Sequence, residues 1–164
     1  SASDQLYDDM LEVSTMALHG RTVMRVDSLV VWYPERPADT RIPSTATSLT
    51  VTYRPASLTG HPKTYGPATT SDADEIGEVA AAVNDDPMNP LGSALPCPFD
   101  GGANVMLTFR DGTRTVATTS ITPAGCGFVT VKVTGGGTAM LFQGTKLASQ
   151  VLALLNLDWP DPAK

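Results

Sequence analysis

Long apolar runs are missing from this sequence. The longest, Val151 to Leu155, falls far short of the ~20 residues that a membrane span requires. Basic residues are few and scattered: eleven against seventeen acidic ones, for a net charge of −6. No basic stripe is available to neutralise phosphates, which argues against nucleic-acid binding and against attraction to an anionic lipid surface. Charged residues make up only 17% of the chain. An apolar content of 41% is nonetheless too high for a disordered segment, and 164 residues suffice for one domain with a real core. The opening residues, SASDQLYDDM, have neither a basic n-region nor an apolar h-region, so no signal peptide is read within the chain.

Cysteine is nearly absent, and so is histidine. Cys97 and Cys126 are too far apart, with too few histidines, for a zinc site built on paired short spacings. A disulfide fits better, and two cysteines permit one pairing only. It would imply an exported protein. The alternative is two buried free thiols, as in a cytosolic protein.

What is abundant is Thr, Ser, Gly and Pro, the composition of a strand-rich domain with many turns. Asp4 to Leu18 reads two ways. Leu6, Met10, Val13 and Ala17 keep helical spacing with Gly20 as a stop, but β-branched Val13 and Thr15 allow a strand paired through an HGR turn. Thr22 to Tyr33 reads as a strand with LVVWY as its apolar heart. Leu49 to Arg54 alternates, placing Leu49, Val51 and Tyr53 on one face. Pro55 to Thr70 has no apolar period and reads as an exposed excursion.

Ile76, Val79, Ala80 and Val83 form the stripe of a helix, with Ser71 as its N-cap and acidic Asp72, Asp74 and Glu75 at its positive end. Asn104 to Arg110 and Thr113 to Ser120 form a hairpin turned by Asp111-Gly112, with Val105, Leu107 and Phe109 facing inward. Phe128 to Thr134 and Ala139 to Phe142 pair across Gly135–Gly137. A last helix runs from about Lys146 to Asn156, capped by Thr145, with Leu147, Val151, Leu154 and Leu155 as its stripe. Parallel βαβ alternation is absent. The expected fold is α+β: one domain over residues 1–164, an antiparallel sheet with two or three helices on one face and a Cys97–Cys126 disulfide.

Chemistry is hard to find. His19 and His61 both sit beside turn residues, and no G-x-S-x-G elbow accompanies them, so solvated loop histidines are the favoured reading. Helix capping already explains the acidic group at 72–75, which lacks a calcium-loop pattern. Gly135–Gly137 has no Gly-Lys-Ser/Thr ending and precedes a strand, so it is a turn and not a phosphate loop. No metal, no other cofactor and no catalytic residue is expected.

The stretches DSLVVWY, ATSLTVTYRPASLTGHP, DADEIGEVAAAVN and CPFDGGANVMLTF, followed by Cys126, resemble the Streptomyces subtilisin-inhibitor family of secreted proteins over roughly residues 27–128. The resemblance implies an antiparallel sheet with packed helices, and a protease-contact loop just after Cys97: Pro98, Phe99 and Asp100, with Phe99 as the specificity residue. The family's additional disulfide is absent, since Tyr53 stands where its first cysteine falls. Residues 1–26 and 129–164 are extensions of the same domain. LPCPFDGG, LTF, GCGFV and VLALLNLDWP are also similar to uncharacterised secreted or lipid-anchored actinobacterial domains, which have no assigned activity. The expectation is an exported or cell-surface lipid-anchored, non-enzymatic binding or envelope-associated module. Its partner would be a protein or envelope component, with a serine protease as the alternative partner and no nucleic acid.

Overall fold

The computed structural model describes residues 6–57, 62–90, 97 and 101–162. Among these residues the fold is α+β, as expected, with two antiparallel sheets, two α-helices and one disulfide. Strand β1 (Leu6–Leu18) pairs with β2 (Arg21–Trp32) in a two-stranded ribbon. The other six strands are β3 (Ser48–Arg54), β4 (Tyr65–Thr70), β5 (Asn104–Asp111), β6 (Arg114–Ile121), β7 (Val129–Val133) and β8 (Thr138–Leu141). They form one sheet in the order β4-β3-β5-β6-β7-β8, antiparallel throughout. Helices α1 (Ala73–Asp85) and α2 (Gly144–Leu154) pack against each other, α1 beside β3 and α2 beside β6.

Period-2 alternation builds the core. Leu49, Val51, Tyr53, Val105, Leu107 and Phe109 are all buried on the sheet face that carries the helices. Ile76, Val79 and Val83 of α1, with Leu147, Ala148 and Val151 of α2, close over them in one continuous cluster. The opposite face stays half-exposed and polar. The register brings Thr69, Thr50, Thr108, Thr118, Lys132 and Thr138 into one row across all six strands. Much of the threonine is there because β-branched polar residues suit a sheet that is solvated on one side.

Four local expectations are corrected. Residues 65–70, expected as part of a loop, form β4. Gly66-Pro67 breaks the apolar pattern, and proline is tolerated there because β4 is an edge strand. The N-cap of α1 is Asp72, not Ser71: its Oδ1 accepts from the Asp74 and Glu75 backbone N–H groups at 2.9 and 3.1 Å. Gln143 is the N-cap residue of α2 and makes no side-chain cap bond, while the Thr145 hydroxyl instead donates to the Pro123 carbonyl. The β5–β6 turn is Gly112-Thr113, because Asp111 still pairs with Arg114.

Asp4–Leu18 resolves to a strand from Leu6 onward. His19 and Gly20, at φ of 50° and 74°, make the tight turn that the HGR sequence offered as an alternative to a helix stop.

Candidate functional site

Three features stand out from the body of the fold. The first is the disulfide and the segment it anchors. Cys97 and Cys126 are bonded, with Cα atoms 5.2 Å apart. Beyond Cys97 the chain is secured again. The Ser57 N–H donates to the Gly101 carbonyl at 3.0 Å, and Arg54 Nε donates to the Gly102 carbonyl at 3.0 Å. Gly101 sits at a φ of +62°, and a Cβ there would lie 2.8 Å from that of Ala56. Only glycine fits this approach to the β3 exit. The segment from 97 to 102 is therefore held at both ends, although Pro98, Phe99 and Asp100 themselves lie outside the described residues.

The second is an aromatic wall beside that segment. The Tyr53 and Tyr65 rings stack with centroids 6.0 Å apart, Trp159 follows at 6.2 Å from Tyr65, and Lys63 Nζ lies 4.8 Å from the Tyr65 ring centroid. A cleft of about 770 Å³ opens next to Tyr53, between Pro55, Ala103, Pro123 and Pro160. Burial raises the pKa of the Tyr53 hydroxyl, and the nearby charge of Asp161 adds to the effect. The phenol stays a neutral hydrogen-bonding group in this setting.

The third is the β1–β2 ribbon, whose two strands pack on each other and form no extensive contact with another element. Its apolar side chains are open to solvent: Leu11 is 68% exposed, Met24 64%, Val26 56%, Val13 54% and Trp32 54%. The stretch LVVWY, read from sequence as the apolar heart of a strand, lies here and outside the core. Its five apolar residues run without a break, so both faces of the strand are apolar there, and no described element of the body buries them. The signal in the sequence was two apolar, strand-length segments meeting at HGR with no third strand following directly. Isolated two-stranded hairpins are marginal in water, and an apolar surface this exposed is unusual on a monomer.

Charge is concentrated elsewhere, at the C-terminal end of α1. Arg36 is buried and spans this end, donating to the Val83 carbonyl at 2.6 Å and to the Thr40 carbonyl at 2.7 Å. Burial first, and then the charge of Arg41, lower its pKa to about 10, so it remains a cation at neutral pH. Asp86 is buried nearby, and burial lifts its pKa to about 6 against the opposing pull of a Gln143 backbone hydrogen bond and of Arg36 and Lys146. The folded pKa lies above the ordinary 3.8, so the folded state holds this proton more tightly than the unfolded state. The resulting destabilisation is absent below pH 4, grows between pH 4 and 6, and is complete above pH 6. Asp86→Asn is expected to stabilise the domain by about 1–2 kcal/mol near pH 8 and by nothing near pH 4, measured by thermal melting at the two pH values. An equal gain at both would assign the effect to packing.

The other sequence candidates are placed as follows. His19 is at the ribbon tip, and His61 lies outside the described residues. Asp72 caps α1. Among the described residues, no three metal-ligating side chains cluster, and no helix is long and apolar enough to cross a membrane.

Fold and surfaces together define a disulfide-bonded α+β domain from which an apolar β-ribbon projects. Comparison with protein-family models, with curated proteins and with solved structures finds no match for this chain.

Proposed function

We propose that this chain is an exported, non-enzymatic binding or envelope-associated module that engages its partner through the β1–β2 ribbon. The observation that carries the reading is the exposure of Leu11, Val13, Met24, Val26 and Trp32 on one element that the rest of the fold leaves uncovered. A disulfide fits an oxidising compartment and supports export. The test is site-specific photo-crosslinking in cells that express the chain, with a benzophenone side chain at Met24 or, as a control, at Lys132 on the solvated face of β7. The expected result is a discrete adduct from position 24 that excess unlabelled domain competes away, and none from position 132. Equal, unsaturable labelling from both positions would sink the reading.

A second reading, a serine-protease inhibitor acting through Pro98, Phe99 and Asp100, is favoured by the anchoring of residues 97–102 at both ends. A loop held in this way loses little freedom on docking. Titration against subtilisin and chymotrypsin decides it. Saturable inhibition that disappears in Phe99→Gly would establish an inhibitor, and no inhibition at micromolar concentration would remove it.

A further inference from the structure

The two faces of the ribbon differ in kind. Cross-strand partners point the same way, so the register sorts every side chain. One face, here called the front, holds Leu11, Val13, Met24, Val26, Val30 and Trp32, with small or hydroxylic residues between them and Asp9 as its one charge. The back also carries apolar side chains, but it includes Asp8, Glu12, Arg21, Arg25 and Asp27, with Arg25 and Asp27 ion-paired at 2.7 Å. The back carries as many large apolar residues, among them Met10, Met16, Leu18, Val23 and Leu29, so the faces differ in charge: five charged residues interrupt the back and one the front. Both α-helices among the described residues already cover the six-stranded sheet, and no described element covers the front.

Resting on the reading of the ribbon as the contact surface, we propose that what covers the front is a second copy of this chain, related by a two-fold axis through the Val13–Val26 pair. The register makes this face complementary to itself. Adjacent rows read Leu11 with Ser28, Val13 with Val26, and Thr15 with Met24. Large and small residues are thus exchanged across the central row. A second ribbon, turned over and running in the opposite direction, sets Leu11 over Thr15 of the second copy and Met24 over Ser28 of the second copy. Val30 falls over Thr22 of the second copy, and the two Val13–Val26 pairs stack at the centre. Asp9 falls over the small Ala17 of the second copy. Opposed directions also keep the two bodies at opposite ends.

Size and charge agree with this occupant. A twelve-residue strand is about 40 Å long. The exposed apolar side chains of the front offer on the order of 600 Å² per copy, at the upper limit of what a monomer leaves open. Two copies would bury roughly 1,200 Å², the lower limit for a stable specific interface. A membrane surface fits less well: the ribbon carries Asp8, Asp9, Glu12 and Asp27 against Arg21 and Arg25, on a chain of net charge −6. Edge-to-edge pairing of ribbons would leave the front exposed.

Sedimentation velocity across a concentration series tests the proposal, with wild type, a front variant (Val13→Lys with Val26→Lys) and a back variant (Met16→Lys with Val23→Lys). Thermal melting checks that the body, which the ribbon does not help to build, stays folded in both variants. Wild type and the back variant are expected to be dimeric at about 100 μM and to dissociate on dilution, while the front variant dimerises at least ~100-fold more weakly. A wild type that is monomeric up to ~1 mM overturns the proposal, as does a front variant that dimerises as well as wild type. Flotation of monomeric wild type with neutral phosphatidylcholine vesicles would also overturn it, in favour of a lipid surface. In the crosslinking experiment, a competed adduct heavier or lighter than twice the chain, with a monomeric wild type, would remove self-association and leave the binding reading standing.

Discussion

Phe109→Ala is expected to lower the unfolding free energy by about 4 kcal/mol, a large fraction of the total stability of an ordinary domain. Phe109 is the largest of the fully buried side chains and sits on β5, the third of the six strands across the sheet. Its neighbours in register are Leu49 on β3 and Ala117 on β6, both fully buried. Truncation removes an aromatic ring from the middle of the one cluster that joins sheet and helices, and a close-packed interior relaxes only partly around the void. Met106 provides the comparison. It lies on the same strand, three positions earlier, and points to the solvated face at 36% exposure. Met106→Ala is expected to cost under about 1 kcal/mol. Urea unfolding followed by circular dichroism measures both, and similar losses at the two positions would contradict the one-sided core.

Replacing Cys97 and Cys126 together by serine is expected to cost about 3.5 kcal/mol. The bond closes a loop across a sequence separation of 29, and the loss of chain entropy from the unfolded state gives this figure. In a domain of this size it corresponds to a fall of roughly 10 °C in melting temperature. The loop is a consequential one because it contains the whole β5–β6 hairpin, the centre of the large sheet. The bond also ties the segment entering β5 to the turn before β7. There the Thr122 N–H donates to the Phe128 carbonyl and the Gly144 N–H donates to the Gly127 carbonyl, seating the start of α2. Differential scanning calorimetry of the serine variant, and of wild type with reductant, should show the same drop. An unchanged melting temperature would mean that the unfolded chain gains nothing from release of the crosslink.

Elements whose pattern is local were legible in the sequence. Leu49, Val51 and Tyr53 alternate as a half-buried strand must, and all three are buried. Ile76, Val79 and Val83 keep helical spacing and line the buried face of α1. The pairing of Cys97 with Cys126 needed only a count of two. Where the reading slipped by a residue, at Asp72 for Ser71 or at Gly112-Thr113 for Asp111-Gly112, two adjacent residues had suitable chemistry and hydrogen bonding chose between them. The strand β4 was hidden for a different reason. YGPATT has little intrinsic strand character, and it pairs because β3 offers it an edge.

The candidate contact surface was not legible, and the reason is physical. LVVWY has the composition of a buried strand, and its residues alone mark it as extended and apolar without a break. Periodicity is set by the backbone and is written locally. Burial depends on what else arrives, often from far along the chain. That α1 and α2 both lie on the six-stranded sheet is a matter of three-dimensional packing, and it leaves Leu11, Val13, Met24 and Val26 exposed and uncovered by the other described elements.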